Sequence, residues 1–115
     1  MKKVILFFIP FAFLSCTNSV NFTLKNNSSK EIDSLIVTNN FDTIKINNLK
    51  VNSTMSKELI FLKKQPKSDG NYRINIYNNG IKQDTTFGYL SNGLPVNSKF
   101  TIEIVEKGFI IIETN

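Results

Sequence analysis

The 115-residue sequence contains no histidine and no tryptophan, a single cysteine, one arginine and three prolines. Without histidine there is no imidazole base, no Ser-His or Cys-His nucleophile pair, and no ordinary zinc or copper site. One cysteine, Cys16, leaves no disulfide to staple a small domain. No glycine-rich phosphate loop precedes a helical pattern, and no helical period runs through the chain. Carboxylates are the remaining candidates for acid-base work. Glu103, Glu106 and Glu113 fall near one another on the last hairpin, but they read as solvated charges of a sheet face and a turn. Asp33, Asp42, Asp69 and Asp84 lack calcium-loop spacing. The expectation is a protein that is not an enzyme and holds no metal or cofactor.

What is present is alternation. From Val20 onward apolar residues recur at every second position, and the separators are Asn, Ser, Gly and Asp, which is the pattern of strands and turns. Val20, Phe22 and Leu24 share a face before the polar turn Asn26-Asn27-Ser28-Ser29. Glu31 to Thr38 follows, with Leu35-Ile36-Val37 apolar on both faces, as suits a strand inside a sandwich. Thr43 to Asn48 carries Ile44 and Ile46 on one face. Thr54 to Leu62 carries Met55, Leu59 and Phe61 on one face, with Ile60 and Leu62 on the other. Lys63 to Gly70 breaks all pattern and is the longest loop. Seven to eight short strands at about ten-residue spacing predict an all-β fold, an antiparallel two-layer β-sandwich of immunoglobulin-like type, with a small barrel as the runner-up.

Two hairpins allow a prediction of register. Asn79-Gly80 supplies the two positive φ angles of a type I′ turn, which sets Ile76 opposite Gln83, Ile74 opposite Thr85 and Tyr72 opposite Phe87. For the last hairpin a three-residue loop, Glu106-Lys107-Gly108 with Gly108 left-handed, puts Ile104 opposite Ile110 and Ile102 opposite Ile112. It is preferred over a shorter turn because it gives one unbroken apolar face. The run Phe109-Ile110-Ile111-Ile112 would be an aggregation hazard at a sheet edge. Burial inside the sandwich is its expected fate.

The first fifteen residues differ from all that follows. Lys2 and Lys3 precede eleven residues, Val4 to Leu14, that are too few for a bilayer span of about 20 but suit a signal-peptide core. Phe13-Leu14-Ser15-Cys16 then resembles the lipobox of a bacterial lipoprotein, in a relaxed form of Bacteroidota type with Phe where Leu is commonest. The resemblance implies cleavage between Ser15 and Cys16 and lipid attachment at Cys16. Residues 1–15 are then a cleaved signal peptide, 16–19 the lipidated cysteine and tether, and 20–115 the β-sandwich domain. Without Lys2 and Lys3 the remaining twelve cations face nine carboxylates, a formal charge of +3 that makes no case for nucleic acid. Three residues separate Cys16 from the first strand-like position, so the domain is expected against the membrane. With Thr17 after the cysteine and no acidic run, sorting rules imply the outer membrane, facing the periplasm.

Three further features are candidates for function. In Thr86-Phe87-Gly88-Tyr89-Leu90-Ser91-Asn92-Gly93, a glycine between two aromatics marks a bulge or a close approach of another chain, and Phe87, Tyr89 and Asn92 are candidate binding residues. With Asp69-Gly70-Asn71-Tyr72 and residues 27–33, this stretch resembles small Bacteroidota lipoproteins, a resemblance that imports no activity. Lys63, Lys64 and Lys67 are candidates for contact with anionic head groups. Asp33-Ser34-Leu35, Asp42-Thr43-Ile44 and Asp84-Thr85-Thr86 resemble Bacteroidota O-glycosylation sites, with Ser34, Thr43 and Thr85 as acceptors. N-glycosylation at the sequons starting at Asn21, Asn26, Asn27 and Asn52 is not expected, and the sixteen asparagines read as a compositional bias. The functional expectation is a non-catalytic envelope lipoprotein, a structural or interaction module whose partner is an envelope protein or a glycan. A small inhibitor or immunity-type lipoprotein and a glycan-binding module are the alternatives.

Overall fold

A computed structural model describes residues 18–62 and 67–114; Ser15, Cys16, Lys63 and Lys64 lie outside them. The described residues form nine strands and no helix: β1 (Ser19–Asn26), β2 (Ile32–Thr38), β3 (Thr43–Leu49), β4 (Thr54–Ile60), β5 (Gly70–Asn78), β6 (Ile81–Ser91), β7 (Leu94–Pro95), β8 (Lys99–Val105) and β9 (Gly108–Thr114). The ninth strand, beyond the seven to eight expected, is β7, two residues that fold back on the end of β6 after the Asn92-Gly93 turn. One sheet has the order β4-β1-β8-β9 and the other β3-β2-β5-β6-β7. The two pack face to face in a sandwich-like arrangement. All pairings are antiparallel except β1 with β8, which run parallel with Phe22 beside Phe100 and Leu24 beside Ile102.

The inward residues of the central strands make the core. Val20, Phe22 and Leu24 on β1, Phe100, Ile102 and Ile104 on β8, Leu35 and Val37 on β2, and Tyr72, Ile74 and Ile76 on β5 are all buried. Alternation in these strands therefore translates directly into burial. β4 is an exception. Only Leu59 is buried, while Met55 and Ile60 are exposed, because β4 is an edge strand with one side chain reaching the core.

Four rings tie the sheets together. Phe22 and Phe100 come from one sheet, Tyr72 and Phe87 from the other, and every pair has centroids 5.2 to 6.0 Å apart. Such pairs contribute roughly 0.5 to 1.5 kcal/mol each beyond their burial. The Tyr72–Phe87 pairing is the one expected from the Asn79-Gly80 turn, as are Ile74–Thr85 and Ile76–Gln83. Asn79 and Gly80 have φ of 49° and 77°, so the turn chemistry sets the register.

One extra residue interrupts β6. Phe87 pairs with Tyr72 but Leu90 pairs with Gly70, so a bulge lies at Gly88-Tyr89. Gly88 has φ of +72°, and a Cβ built on it would lie 2.7 Å from Tyr72 Cδ2 and 3.0 Å from Phe100 Cζ. Only glycine meets both the backbone and the packing requirement there. The close approach expected at this glycine is made by the chain's own rings.

The last hairpin departs from expectation. The turn is the two-residue Glu106-Lys107, with Val105 opposite Gly108, and it pairs Ile104 with Phe109, Ile102 with Ile111 and Phe100 with Glu113. Phe109 to Ile112 is apolar on both faces, so alternation cannot choose between them. The core takes the face with the larger ring, and Phe109 and Ile111 pack against it. Ile110 and Ile112 are left 48% and 50% exposed on an edge strand, where burial was expected. Gly108, at φ +151°, has a positive φ that favours glycine, but it is the first residue of β9, paired with Val105, and not the third residue of the loop.

Asparagine does structural work that composition conceals. Asn40, Asn48, Asn52, Asn79 and Asn92 all have positive φ, a region asparagine tolerates better than other side chains with a Cβ. Asn26, fully buried, donates its amide to the carbonyls of Lys30 and Leu49, both at 2.9 Å. Its Oδ1 accepts from the Ser28 N–H at 3.0 Å and the Ser28 hydroxyl at 2.6 Å. One side chain thereby fastens the β1–β2 connection to the end of β3 in the opposite sheet.

Two substitutions test this core. The Tyr72 hydroxyl is buried without a hydrogen-bond partner among the described residues, so Tyr72→Phe is expected to raise stability by about 0.5 to 2 kcal/mol in urea unfolding. Burial also pushes the Tyr72 phenol above its usual 10.0, so the wild type loses stability as pH rises past 10 and the Phe variant loses less. Gly88→Ala is expected to destabilise by roughly 2 to 4 kcal/mol in the same assay, through steric overlap with Tyr72 and a strained φ.

Candidate functional site

The bulge at Gly88 decides which side chains of the Phe87 to Asn92 stretch face outward. Strict alternation would place Phe87 and Tyr89 on one face. The extra residue instead buries both Phe87 (8% exposed) and Leu90 and turns Tyr89 out, 48% exposed. Phe87, a candidate binding residue in the sequence, is therefore placed among the core residues.

Tyr89 and Asn92 do meet, through Asp69, which the sequence did not mark as a binding candidate. The Tyr89 hydroxyl donates to Asp69 Oδ2 at 2.7 Å, and the Asn92 backbone N–H donates to Asp69 Oδ1 at 3.2 Å. Asn92 (φ 53°) and Gly93 (φ 79°) form the tight turn from β6 to β7 that aims this N–H. Both donors favour the ionised carboxylate. The Tyr89 hydroxyl, then the Asn92 N–H, hold Asp69 below the ordinary 3.8, and the carboxylate raises the Tyr89 phenol in return. Asp69 lies twenty residues from Tyr89, and no spacing rule links an aspartate before one strand to a tyrosine on the next.

The chemistry open to this cluster is limited. Both Asp69 oxygens are already engaged, and Tyr89 offers one exposed ring that contacts no other aromatic ring among the described residues. The cluster clamps the end of the long loop onto the β6–β7 turn. Lys67 is exposed just ahead of it. Among the described residues no group of three or more His, Cys, Asp or Glu converges as metal ligands would. The carboxylates of the last hairpin do not converge either. Glu103 stands opposite Ile110 on the outer face, Glu113 opposite Phe100 on the inner one, and Glu106 accepts a hydrogen bond from the Ser29 N–H.

The registers also sort the loops by end. The Asn26 bonds place the ends of β1 and β3 together with the starts of β2 and β4. A cleft of about 210 Å³ opens at this end, with Ile32, Ile76 and Ile104 among its lining and Lys30, Gln83 and Glu106 at its polar side. The opposite end holds the start of β1, Lys67, the Asp69 cluster and the Asn39 to Asp42 turn. The cleft is therefore at the end away from the start of β1.

Of the three candidate O-glycosylation acceptors only Thr43 is exposed, at the first position of edge strand β3; Ser34 and Thr85 are half-buried. Thr43 also contacts the Thr38 hydroxyl at 3.1 Å. Comparison with family models, with curated proteins and with solved structures finds no match to this chain.

The clamp generates a titration signature. The Asp69 carboxyl is expected to titrate below 3.8 by carbon-detected NMR, and Tyr89→Phe to move its midpoint back toward that value. Its sign is that of a lowered carboxyl: the contribution holds above 3.8 and is lost as pH falls through the folded midpoint. An unmoved midpoint in Tyr89→Phe would show that the hydroxyl does not hold the carboxylate in solution.

Proposed function

We propose that this chain is a membrane-anchored envelope lipoprotein whose immunoglobulin-like β-sandwich acts as a non-catalytic structural or interaction module. One observation carries the reading: a lipobox-like Phe13-Leu14-Ser15-Cys16 stands three residues ahead of the strand that opens the domain. Acylation at Cys16 would seat the β1-start end at the lipid surface, because three residues span at most about 11 Å from Cys16 to Ser19. Lys67 belongs to that end, where a lysine near anionic head groups contributes about 1 kcal/mol. Two or more acyl chains are needed for stable anchoring, since one alone binds marginally. The outer membrane, facing the periplasm, is the location this reading assigns.

A protein partner suits the surface better than a glycan. Sugar recognition by stacking wants an aromatic platform, and with Phe87 in the core Tyr89 is a lone ring. An inhibitor or immunity-type lipoprotein is one form such a module takes.

The anchor is tested by metabolic labelling with palmitate. Label is expected on the intact chain and not on Cys16→Ser, and the variant should leave the membrane fraction while the wild type requires detergent. Unlabelled wild-type protein that is soluble without detergent would refute the reading.

A further inference from the structure

A sheet edge offers a row of free N–H and C=O groups, and folded proteins blunt such edges with charges, prolines, bulges or short strands. The sandwich has four edges. β4 carries Lys57 and Glu58 and exposes almost every side chain. β3 carries Lys45, and Asn48 at φ 57° breaks its extended backbone. At the other end of that sheet β7 is two residues long and contains Pro95, and the stretch of β6 beyond it carries Lys82, Asp84 and the Gly88 bulge. β9 has none of these devices. Gly108-Phe109-Ile110-Ile111-Ile112 reaches Glu113 before any charge, is regularly paired along its whole length to β8, and among the described residues has no strand paired to its other edge.

We infer that β9 is a docking edge for β9 of a second copy of this chain, paired antiparallel about a two-fold axis through Ile111. That register uses the full strand, Gly108 to Thr114 against the same residues reversed. Ile110 then stands opposite the second copy's Ile112, and the four half-exposed isoleucines form one apolar patch on the outer face. Ile111 meets its own copy on the inner face, and Glu113 stands opposite Phe109. No like charges are brought opposite, and Lys107 lies diagonal to the second copy's Glu113. A two-fold pairing of this kind closes on itself and leaves no second β9 edge exposed. One seven-residue edge buries less than the about 800 Å² per partner of a standard interface, so the dimer is reversible. This inference does not depend on lipid attachment.

Oxidative cross-linking of the full chain in cells, with wild type as the control for Cys16, tests the register. Ile111→Cys is expected to give a disulfide-linked dimer. Glu113→Cys should not, because its symmetry mate is about 13 Å away along the strands. Co-expressed Glu113→Cys and Phe109→Cys should cross-link to each other. Adding Ile110→Lys and Ile112→Lys, outward positions that leave the core intact, should cut the Ile111→Cys dimer at least about tenfold, with unchanged circular dichroism confirming the fold. Sedimentation of the purified chain in mild detergent should show a concentration-dependent monomer–dimer equilibrium. Self-linking of Glu113→Cys, cross-links only to a different protein, indifference to both lysines, or a monomer at every concentration would each overturn the proposal.

Discussion

The contact on which the rest of this structure depends is the approach of the Tyr72 and Phe100 rings to the backbone of Gly88. Each of the four aromatic rings touches the other three, two from each sheet, and they can close up only because β6 carries no Cβ at that position. The bulge that accommodates the rings also reverses the faces beyond it. Phe87 and Leu90 both turn inward, and Tyr89 is released to the surface to meet Asp69. Core packing and the surface clamp are therefore one constraint seen from two sides.

A second economy lies in asparagine. With five glycines in the whole chain, many of the tight turns and strand irregularities need another residue that tolerates positive φ. Asn40, Asn52, Asn79 and Asn92 serve in turns, and Asn48 at the end of β3 lets Ile46 and Leu49, three apart, both point inward. Asn26 adds a buried amide with all four hydrogen-bonding positions filled. An unfilled amide at that depth would cost roughly 1 to 3 kcal/mol for each group left unpaired. A domain without a disulfide closes its connections by these local hydrogen bonds.

The parts of the molecule divide by what they leave unsatisfied. Among the described residues the interior leaves three buried side-chain atoms without a partner, the Tyr72 hydroxyl, Asn39 Nδ2 and Asn75 Oδ1. The end bearing the start of β1 is closed by the Asp69 clamp, and the far end by Asn26, beside a cleft. The lateral edges are guarded by charge, proline or backbone irregularity, with β9 as the exception. That exception is an edge of backbone groups and isoleucines, not a pocket of reactive side chains, and it is where the proposed second copy docks.

How much of this was legible in one dimension follows from the range of each interaction. The strands of β1, β2, β5 and β8 and the Asn79-Gly80 register were readable, because alternation and turn chemistry act over neighbouring residues. The lack of histidine likewise bounded the chemistry from composition alone. The register of β8 with β9 was not readable, since Phe109 to Ile112 is apolar on both faces and the choice belongs to the opposing sheet, which has room for Phe109. The Asp69–Tyr89 bond was hidden for a similar reason: the loop end and the bulged strand meet only after the sheet forms. The parallel β1–β8 pair, the edge position of β9 and the burial of Phe87 are properties of strand order, and strand order is set by how whole faces pack, which no local pattern encodes.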